Sequence, residues 1–426
     1  MEKKLYPSLD EALFREKLPN GLQILVIPRP GFTKKLAYFV TDYGAIHTEF
    51  TFNGEKYTTP AGVAHFLEHK MFDLPDRDVS AEFAALGASP NAFTSYDMTA
   101  YYFSCTENFE KSLHLLLEFV STPYFTAESV QKEQGIIGQE IGMYEDNPES
   151  RGFETLMGAM YANHPIKAPI LGTRESIARI TPELLYACHK AFYRPGNMLL
   201  CVIGDVDPET VKNIALEVLP AQDDAVVTRT DTWQEENKVL QSLTTGQMEV
   251  AMPMFQLGFK SQCPEKGEPA ALGEVIGELA AEALFGESSR LYLRLYEEGI
   301  IDASFGGGFE TVEGMALLTA SGDSDYPEKV KDAILQEVQH LLDTGIPEED
   351  FLRMKRSALG RRIRDLDGFS GTIFRVCAYW FSQYDYFDFP AVYRQVTAQD
   401  LLAFLRETVT EERCSMSVIY PKEERL

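Results

Sequence analysis

Apolar and polar positions in the first half of the chain alternate between strand-like and helix-like periods. A Pro-Asn-Gly turn signal and an apolar run occupy residues 18–27, and a second apolar run covers residues 36–40. Together the two runs predict a β-hairpin. Thr59 and Pro60 predict a helix start, because Thr is a good N-cap and Pro is favoured at the first helical position. This helix is expected to run to about Phe72.

More strands and helices are expected before the middle of the chain. Alternation returns at residues 91–105, where Thr, Tyr and Phe are frequent, and predicts strand structure. Thr126 predicts the start of a helix over residues 127–145. A buried strand is predicted at residues 198–203, followed by a turn and a helix from about Pro208. The first half therefore mixes strands and helices.

The second half repeats this plan after a polar and acidic stretch, residues 221–238, that predicts a surface linker. The repeated elements are an apolar strand at 255–259, helices across 274–284, 326–343 and 348–363, and a strand at 415–420. We therefore predict an α+β fold with two similar domains, residues 1–225 and 247–426. Residues 226–246 are expected to link them.

Composition supports a globular protein and narrows its partners. The 426 residues are 45% hydrophobic and 24% charged, which is enough apolar mass for packed cores. A net charge of −26 would repel phosphate backbones, so no nucleic-acid partner is expected. The acidic surface could attract basic peptides or simply maintain solubility. Since we find no signal peptide, membrane span or paired cysteine spacing, we expect a cytoplasmic protein with no membrane partner.

The segment His65-Phe-Leu-Glu-His69 lies inside the first predicted helix. His65 and His69 project from one face about one turn apart, so two imidazoles can share a metal ion. Val63 and Leu67 fall on the other face, which packs in the core. Imidazole and carboxylate ligands suit Zn²⁺, and a catalytic zinc has three protein ligands and one position for water. Glu68, beside His65, is placed to take a proton from that water.

The third ligand must come from another segment, and the helix predicted over residues 127–145 is the best candidate. On a helical wheel its apolar arc contains Val130, Ile136, Ile137, Ile141, Met143 and Tyr144. Glu133 and Glu140 lie at the centre of that arc, where a carboxylate is costly to bury without a cation. Buried arginines are the alternative to a metal ion. The opposite face carries Gly135, Gly138 and Gly142. These glycines predict a close backbone approach on that side.

The histidine pair also has a structural alternative, in which both side chains are simply capped or solvated. The helical context and the glutamate pair favour the metal site over that alternative. The remaining histidines are expected to be structural or exposed: His47, His114, His164, His189 and His340.

The inverted order His-x-x-Glu-His resembles the pitrilysin and insulysin family, which also includes mitochondrial processing peptidase. The similar segments are residues 18–22, 62–72, 91–101, 133–140, 193–198 and 204–207. The resemblance implies His65, His69 and Glu140 as ligands of one Zn²⁺ per chain. It further implies Glu68 as the general base and Glu133 as a carboxylate that steadies the site.

The same resemblance implies a fold and a substrate-binding mode. Two homologous domains, each a mixed and mainly antiparallel sheet packed with helices, would face a closed chamber. An extended peptide would pair with the strand at residues 91–101, so that Asn91 and Ala92 contact its backbone. In the second half, the family's substrate-binding arginine and tyrosine fall on Tyr296 and Ala303. A partner chain is expected to supply the missing residues.

The implied activity is that of a metalloendopeptidase acting on short or unfolded peptides. Family members of this size usually form the chamber from two chains, so the expected assembly is a homo-dimer or a hetero-dimer with a homologous subunit lacking the metal motif. This chain resembles the metal-bearing subunit of such a bacterial pair. The alternative is a non-catalytic or partner-dependent binding or assembly subunit. A third possibility is a maturation protease for one modified peptide.

Overall fold

The structure is a computed structural model that describes residues 1–75, 77–223, 225–230 and 233–422. The strands of the first half are β1 (Glu2–Tyr6), β2 (Glu11–Lys17), β3 (Gln23–Pro28), β4 (Lys35–Thr41), β5 (Glu49–Phe52), β6 (Glu55–Thr58), β7 (Asp73–Leu74), β8 (Arg77–Asp78), β9 (Ser89–Thr94), β10 (Thr99–Cys105), β11 (Met198–Gly204) and β12 (Val227–Arg229). Its helices are α1 (Val63–Met71), α2 (Val79–Ala85), α3 (Phe109–Val120), α4 (Ala127–Glu145), α5 (Pro148–Met160), α6 (Arg174–Ile177), α7 (Pro182–Phe192) and α8 (Pro208–Val218).

The second half continues with the same two element types. Its strands are β13 (Leu243–Met248), β14 (Met254–Ser261), β15 (Gly306–Val312), β16 (Met315–Asp323) and β17 (Cys414–Pro421). Its helices are α9 (Glu268–Phe285), α10 (Arg290–Glu297), α11 (Pro327–Thr344), α12 (Glu348–Arg364), α13 (Phe369–Phe381), α14 (Phe389–Gln395) and α15 (Ala398–Thr408). The predicted strand and helix segments of this half all form with the expected type.

A seven-stranded sheet in the order β1-β2-β3-β11-β4-β10-β9 forms the first domain. The prediction that residues 18–27 and 36–40 form a hairpin is wrong, because β11 lies between β3 and β4. All seven residues of β11 are buried, so this strand belongs in the centre of the sheet, parallel to β3 and antiparallel to β4. Strand β9 ends the order within the described residues and pairs only with β10 there.

The second domain contains a five-stranded sheet in the order β13-β17-β14-β16-β15. Here β13 and β17 are parallel and the other neighbours antiparallel. Strand for strand, this repeats the order and directions of β3-β11-β4-β10-β9. The two domains therefore share one sheet topology, as predicted, and β15 takes the place in the second sheet that β9 takes in the first.

The two domains share a hydrophobic core. Helix α13 of the second domain packs on β11 and β4 of the first. Cys201 of β11 and Cys377 of α13 are fully buried in the same apolar cluster. Because apolar burial is the main source of stability, this shared core resists separation of the domains.

The segment predicted as a surface linker is partly held in place. Strand β12 pairs with β5, and residues 243–246 belong to β13. The Glu235 carboxylate accepts the backbone N–H groups of Ala162 (3.2 Å) and His164 (2.6 Å). Lys260 Nζ of the second domain lies 3.3 Å from Glu235. Glu235 thus fixes the linker to both domains, while the exact domain limits remain a prediction.

Among the described helices, none has the length and apolar character that crossing a bilayer requires.

Candidate metal centre

Helix α1 presents the histidine pair, and it starts later than predicted. Its first residue is Val63, three positions beyond Pro60. The Thr59 backbone N–H (2.8 Å) and hydroxyl (3.3 Å) both donate to Thr48 O, so this residue prolongs the pairing of β5 and β6 and does not cap the helix. The N-cap is Gly62, whose φ of 96° is a left-handed conformation that glycine adopts readily.

The core face of α1 agrees with the prediction. Val63, Leu67 and Met71 are buried. His65 and His69 lie on the other side with ring centroids 4.6 Å apart. His65 is itself only 6% exposed, so its imidazole is largely desolvated.

Helix α4 carries the carboxylate pair and has the predicted limits. Thr126 caps it, since its side chain accepts the Ser129 N–H and the Ser129 hydroxyl accepts the Thr126 N–H. Glu133 hydrogen-bonds to His69, and Glu140 lies near both histidines. The partners found for this pair are therefore imidazoles, and the arginine alternative is not what the described residues show.

Two details of the α4 prediction are wrong. Of the six apolar positions, Val130, Ile137 and Ile141 are buried, whereas Ile136, Met143 and Tyr144 are exposed. The buried stripe is thus narrower than the wheel suggests, and the glutamates lie at its margin. A Cβ added at Gly135 or Gly138 would meet no described atom within 4 Å, so no backbone approaches there. At Gly142 the near neighbour is the side chain of Arg174.

His65, His69 and Glu140, here called the α1–α4 cluster, converge on one point. Glu140 Oε2 lies 3.7 Å from His65 Nε2 and 3.5 Å from His69 Nε2. One ligand atom from each of the three residues lies within 4.8 Å of the others. Tetrahedral zinc with bonds of about 2.0–2.2 Å separates its ligand atoms by about 3.3–3.6 Å. The cluster fits such an ion with small side-chain adjustments.

The hydrogen bond between His69 Nδ1 and Glu133 Oε1 (2.9 Å) determines how His69 can act. An ionised carboxylate only accepts hydrogen bonds, so Nδ1 carries a proton, and in the neutral ring Nε2 has the lone pair that a metal ion needs. His65 Nδ1 is buried and has no hydrogen-bond partner among the described residues. Packing alone therefore orients His65, whereas Glu133 orients His69.

Burial and charge shift the proton affinities of the cluster. Burial, with a smaller contribution from His69, lowers the pKa of His65 to about 3, which keeps this imidazole neutral at ordinary pH. Burial acts to lower the pKa of His69, but the Glu133 hydrogen bond and the nearby carboxylates raise it above its usual value. Burial also raises the pKa of Glu68, and this effect outweighs the opposing hydrogen bond from Thr94.

A cavity of about 390 Å³ adjoins the cluster. Its lining includes His65, Glu68, Ala92, Phe93, Thr94, Tyr96, Glu140, Phe153, Glu154 and Leu171. Asn91 is exposed beside it on β9, and its Oδ1 accepts the Ala92 N–H (2.8 Å). Tyr296 and Ala303 are exposed in the second domain and lie outside the described lining. Thr94 lies in the segment 91–101 that resembles the family, but no motif residue or spacing marks it.

A second group of metal-ligating residue types lies between the domains. This inter-domain cluster consists of Asp42, His47 and Glu313, again with one ligand atom each within 4.8 Å of the others. His47 is buried, and its Nε2 lies 3.5 Å from Glu313 Oε2. From the sequence alone, His47 is expected to be structural or exposed.

Comparison with known proteins agrees with the fold. Residues 54–174 match the insulinase domain of peptidase family M16, and residues 179–358 match the domain described as peptidase M16 inactive domain. The chain is 38% identical to a Bacillus subtilis protein named uncharacterized zinc protease YmfH, over 98% of both chains.

Solved structures give the same result. The crystal structure of an M16-like peptidase from Alicyclobacillus acidocaldarius has a TM-score of 0.92 and 31% identity, covering 97% of this chain and 99% of that one. A Helicobacter pylori protease shares the fold, with a TM-score of 0.82 at 18% identity over 96% of this chain and 99% of that one. The sequence motif, the repeated two-domain topology and these matches lead to one conclusion: the chain belongs to peptidase family M16, the insulinase family.

Proposed function

We propose that this protein is a zinc-dependent endopeptidase that hydrolyses short or unfolded peptides. The observation that carries the proposal is the convergence of His65, His69 and Glu140 with Glu68 alongside. Relatives named zinc proteases support it. A solvated histidine pair would need neither the Glu133 hydrogen bond nor a third carboxylate at this distance.

His65, His69 and Glu140 would hold one Zn²⁺ per chain, which supplies Lewis-acid polarisation of a carbonyl and acidifies water. Glu68 takes a proton from the attacking water and passes it to the leaving amine. Burial raises the pKa of this carboxyl, which makes it a better base than an exposed glutamate. Glu133 holds the His69 ring so that its Nε2 faces the shared point.

The substrate is an extended peptide that pairs with β9. This strand ends the first sheet within the described residues and lies beside the cavity, so a peptide could continue the sheet. Ala92 N–H now donates to its neighbour Asn91, and a substrate carbonyl would replace that side-chain acceptor. Asn91 and Ala92 would thus fix the register of the peptide backbone.

A second subunit completes the chamber. Tyr296 and Ala303 occupy the positions where the family carries its substrate-binding arginine and tyrosine, and neither lines the described cavity. These departures favour partner-dependent catalysis, with a second copy or a homologous chain lacking the metal motif. The alternative function, a non-catalytic assembly subunit, requires Glu68 to have no chemical role.

The test combines metal analysis with peptide hydrolysis. The purified chain, alone and mixed with a homologous subunit lacking the motif, is assayed on a fluorogenic peptide library with and without chelator. We expect one zinc per chain and chelator-sensitive cleavage. Glu68→Gln should keep its zinc and lose cleavage, whereas Glu110→Gln, an exposed change on α3, should retain both. Undiminished cleavage by Glu68→Gln would contradict the proposal.

A further inference from the structure

Glu68 has a specific neighbour that neither the motif nor the family match assigns. Thr94 Oγ1 lies 2.6 Å from Glu68 Oε2, a short hydrogen bond in which the hydroxyl donates to the carboxylate. Within the described residues, Oε1 of Glu68 accepts no hydrogen bond. One carboxylate oxygen is therefore fixed and the other is left for a proton.

Thr94 is held in a rigid frame. It is the last residue of β9 and pairs with Thr99 of β10. The Ser95 N–H donates to Met98 O (2.8 Å), which closes the turn between the two strands. Thr99 Oγ1 donates to Tyr43 O (2.9 Å) and lies 3.4 Å from Thr94 Oγ1. The hydrogen of Thr94 therefore goes to Glu68, the nearer and charged acceptor.

A neighbouring loop anchors the same turn. The backbone N–H groups of Ala45 and Ile46 donate to Ser95 O (3.0 Å) and Tyr96 O (2.9 Å). His47, the next residue, faces Glu313 of the second domain. The strand end that carries Thr94 is thus fixed by backbone contacts from two sides, so its hydroxyl position varies little.

We propose that Thr94 is a positioning residue for the general base, an inference that rests on the proposed function. A glutamate side chain has three rotatable bonds, and a donor from a fixed strand selects one carboxylate orientation among several. Strand β9 is also the strand proposed to pair with substrate. The same rigid strand therefore sets both the register of the peptide and the orientation of the Glu68 carboxylate. Alignment of the base with the substrate increases the rate of the chemical step.

Thr94→Val tests the proposal, because valine has nearly the same shape, favours strands and carries a methyl group in place of the hydroxyl. Zinc content and KM should stay at the wild-type value, while kcat falls about 10- to 100-fold. Thr94→Ser, which keeps the hydroxyl, should recover most of the rate. Wild-type kcat in Thr94→Val would overturn the proposal, as would Thr94→Ser being as slow as Thr94→Val.

Crystal structures of the wild type and Thr94→Val give a readout that does not depend on activity. The wild-type Glu68 carboxylate should occupy one position against Thr94, whereas in Thr94→Val it should spread over alternative conformers. An unchanged single conformer in the variant would overturn the proposal. If wild-type protein shows this ordered carboxylate but no chelator-sensitive cleavage, the proposed function fails while the positioning of Glu68 stands.

Discussion

The α1–α4 cluster and the inter-domain cluster each bring three imidazole or carboxylate ligand atoms within 4.8 Å of one another, yet they differ in where the protons lie. In the α1–α4 cluster, His69 Nδ1 donates to Glu133, so in the neutral ring the lone pair is on Nε2. In the inter-domain cluster, His47 Nδ1 accepts the Gly44 N–H (2.9 Å), so its proton is on Nε2, facing Glu313. A protonated nitrogen cannot bind a metal ion.

The two clusters also differ in their counter-charges. In the inter-domain cluster, Arg229 Nη1 lies 2.8 Å from Asp42 Oδ1, and Lys266 Nζ lies 2.8 Å from Glu313 Oε1. These cations already neutralise the carboxylates. The ion-pair partners of Glu140, by contrast, are the two histidines themselves. Tautomer and local charge therefore distinguish the proposed metal centre from a structural ion-pair network.

The largest expected effect comes from removing one imidazole from the α1–α4 cluster. His69→Gln should abolish zinc binding and peptide cleavage, because two ligands cannot hold a catalytic zinc. His47→Gln, its matched control, should keep one zinc per chain. Elemental analysis of the two purified variants measures their zinc content. Loss of zinc in His47→Gln with retention in His69→Gln would reverse the assignment of the clusters.

A smaller effect is expected from the residue that orients His69. Glu133→Ala removes the acceptor of the Nδ1 proton and frees the ring, which should weaken zinc affinity about 10- to 100-fold. Competition with a chromophoric chelator measures this affinity. An unchanged zinc dissociation constant would mean that packing alone orients His69, as we infer for His65.

The smallest expected effect concerns Glu313 and appears in stability. Burial alone would raise the pKa of Glu313, but the His47 side chain and Lys266 together lower it from 4.5 to about 2. Because the folded-state value is the lower one, this carboxylate contributes stability that is present above about pH 4.5 and lost as pH falls through about 2. Glu313→Gln should therefore cost about 2 kcal/mol near neutral pH.

Urea unfolding of wild type and Glu313→Gln measures this cost, with a chelator present so that metal makes no contribution. The difference in unfolding free energy should be full at pH 7 and shrink between pH 4.5 and pH 2. A difference that stays constant with pH would show that the charge of Glu313 is not what stabilises the contact.

The capping signal in the sequence predicted the start of helix α4 correctly but not that of helix α1. Thr126 caps α4 as expected, and the limits of that helix follow. Thr59 carries an equally good capping signal, but its backbone N–H and hydroxyl are engaged with Thr48, the residue before β5. Propensity cannot anticipate that competition, because it depends on pairing formed elsewhere in the fold.

Long-range features could not be read from the residues alone. The insertion of β11 between β3 and β4 depends on a strand far along the chain. Gly135 and Gly138 face open space, although their spacing suggested a close contact. The helical wheel placed Glu133 and Glu140 together without distinguishing them, and the family resemblance supplied their different roles. The contact of Thr94 with Glu68 joins a strand to a helix and has no local signature.

The most direct test of the central claim is an anomalous-difference map collected at the zinc absorption edge on crystals grown with zinc. We predict one strong peak per chain, within bonding distance of His65 Nε2, His69 Nε2 and Glu140 Oε2, with none between Asp42, His47 and Glu313. A peak in the inter-domain cluster, or density at the α1–α4 cluster that does not contact Glu140, would contradict the account.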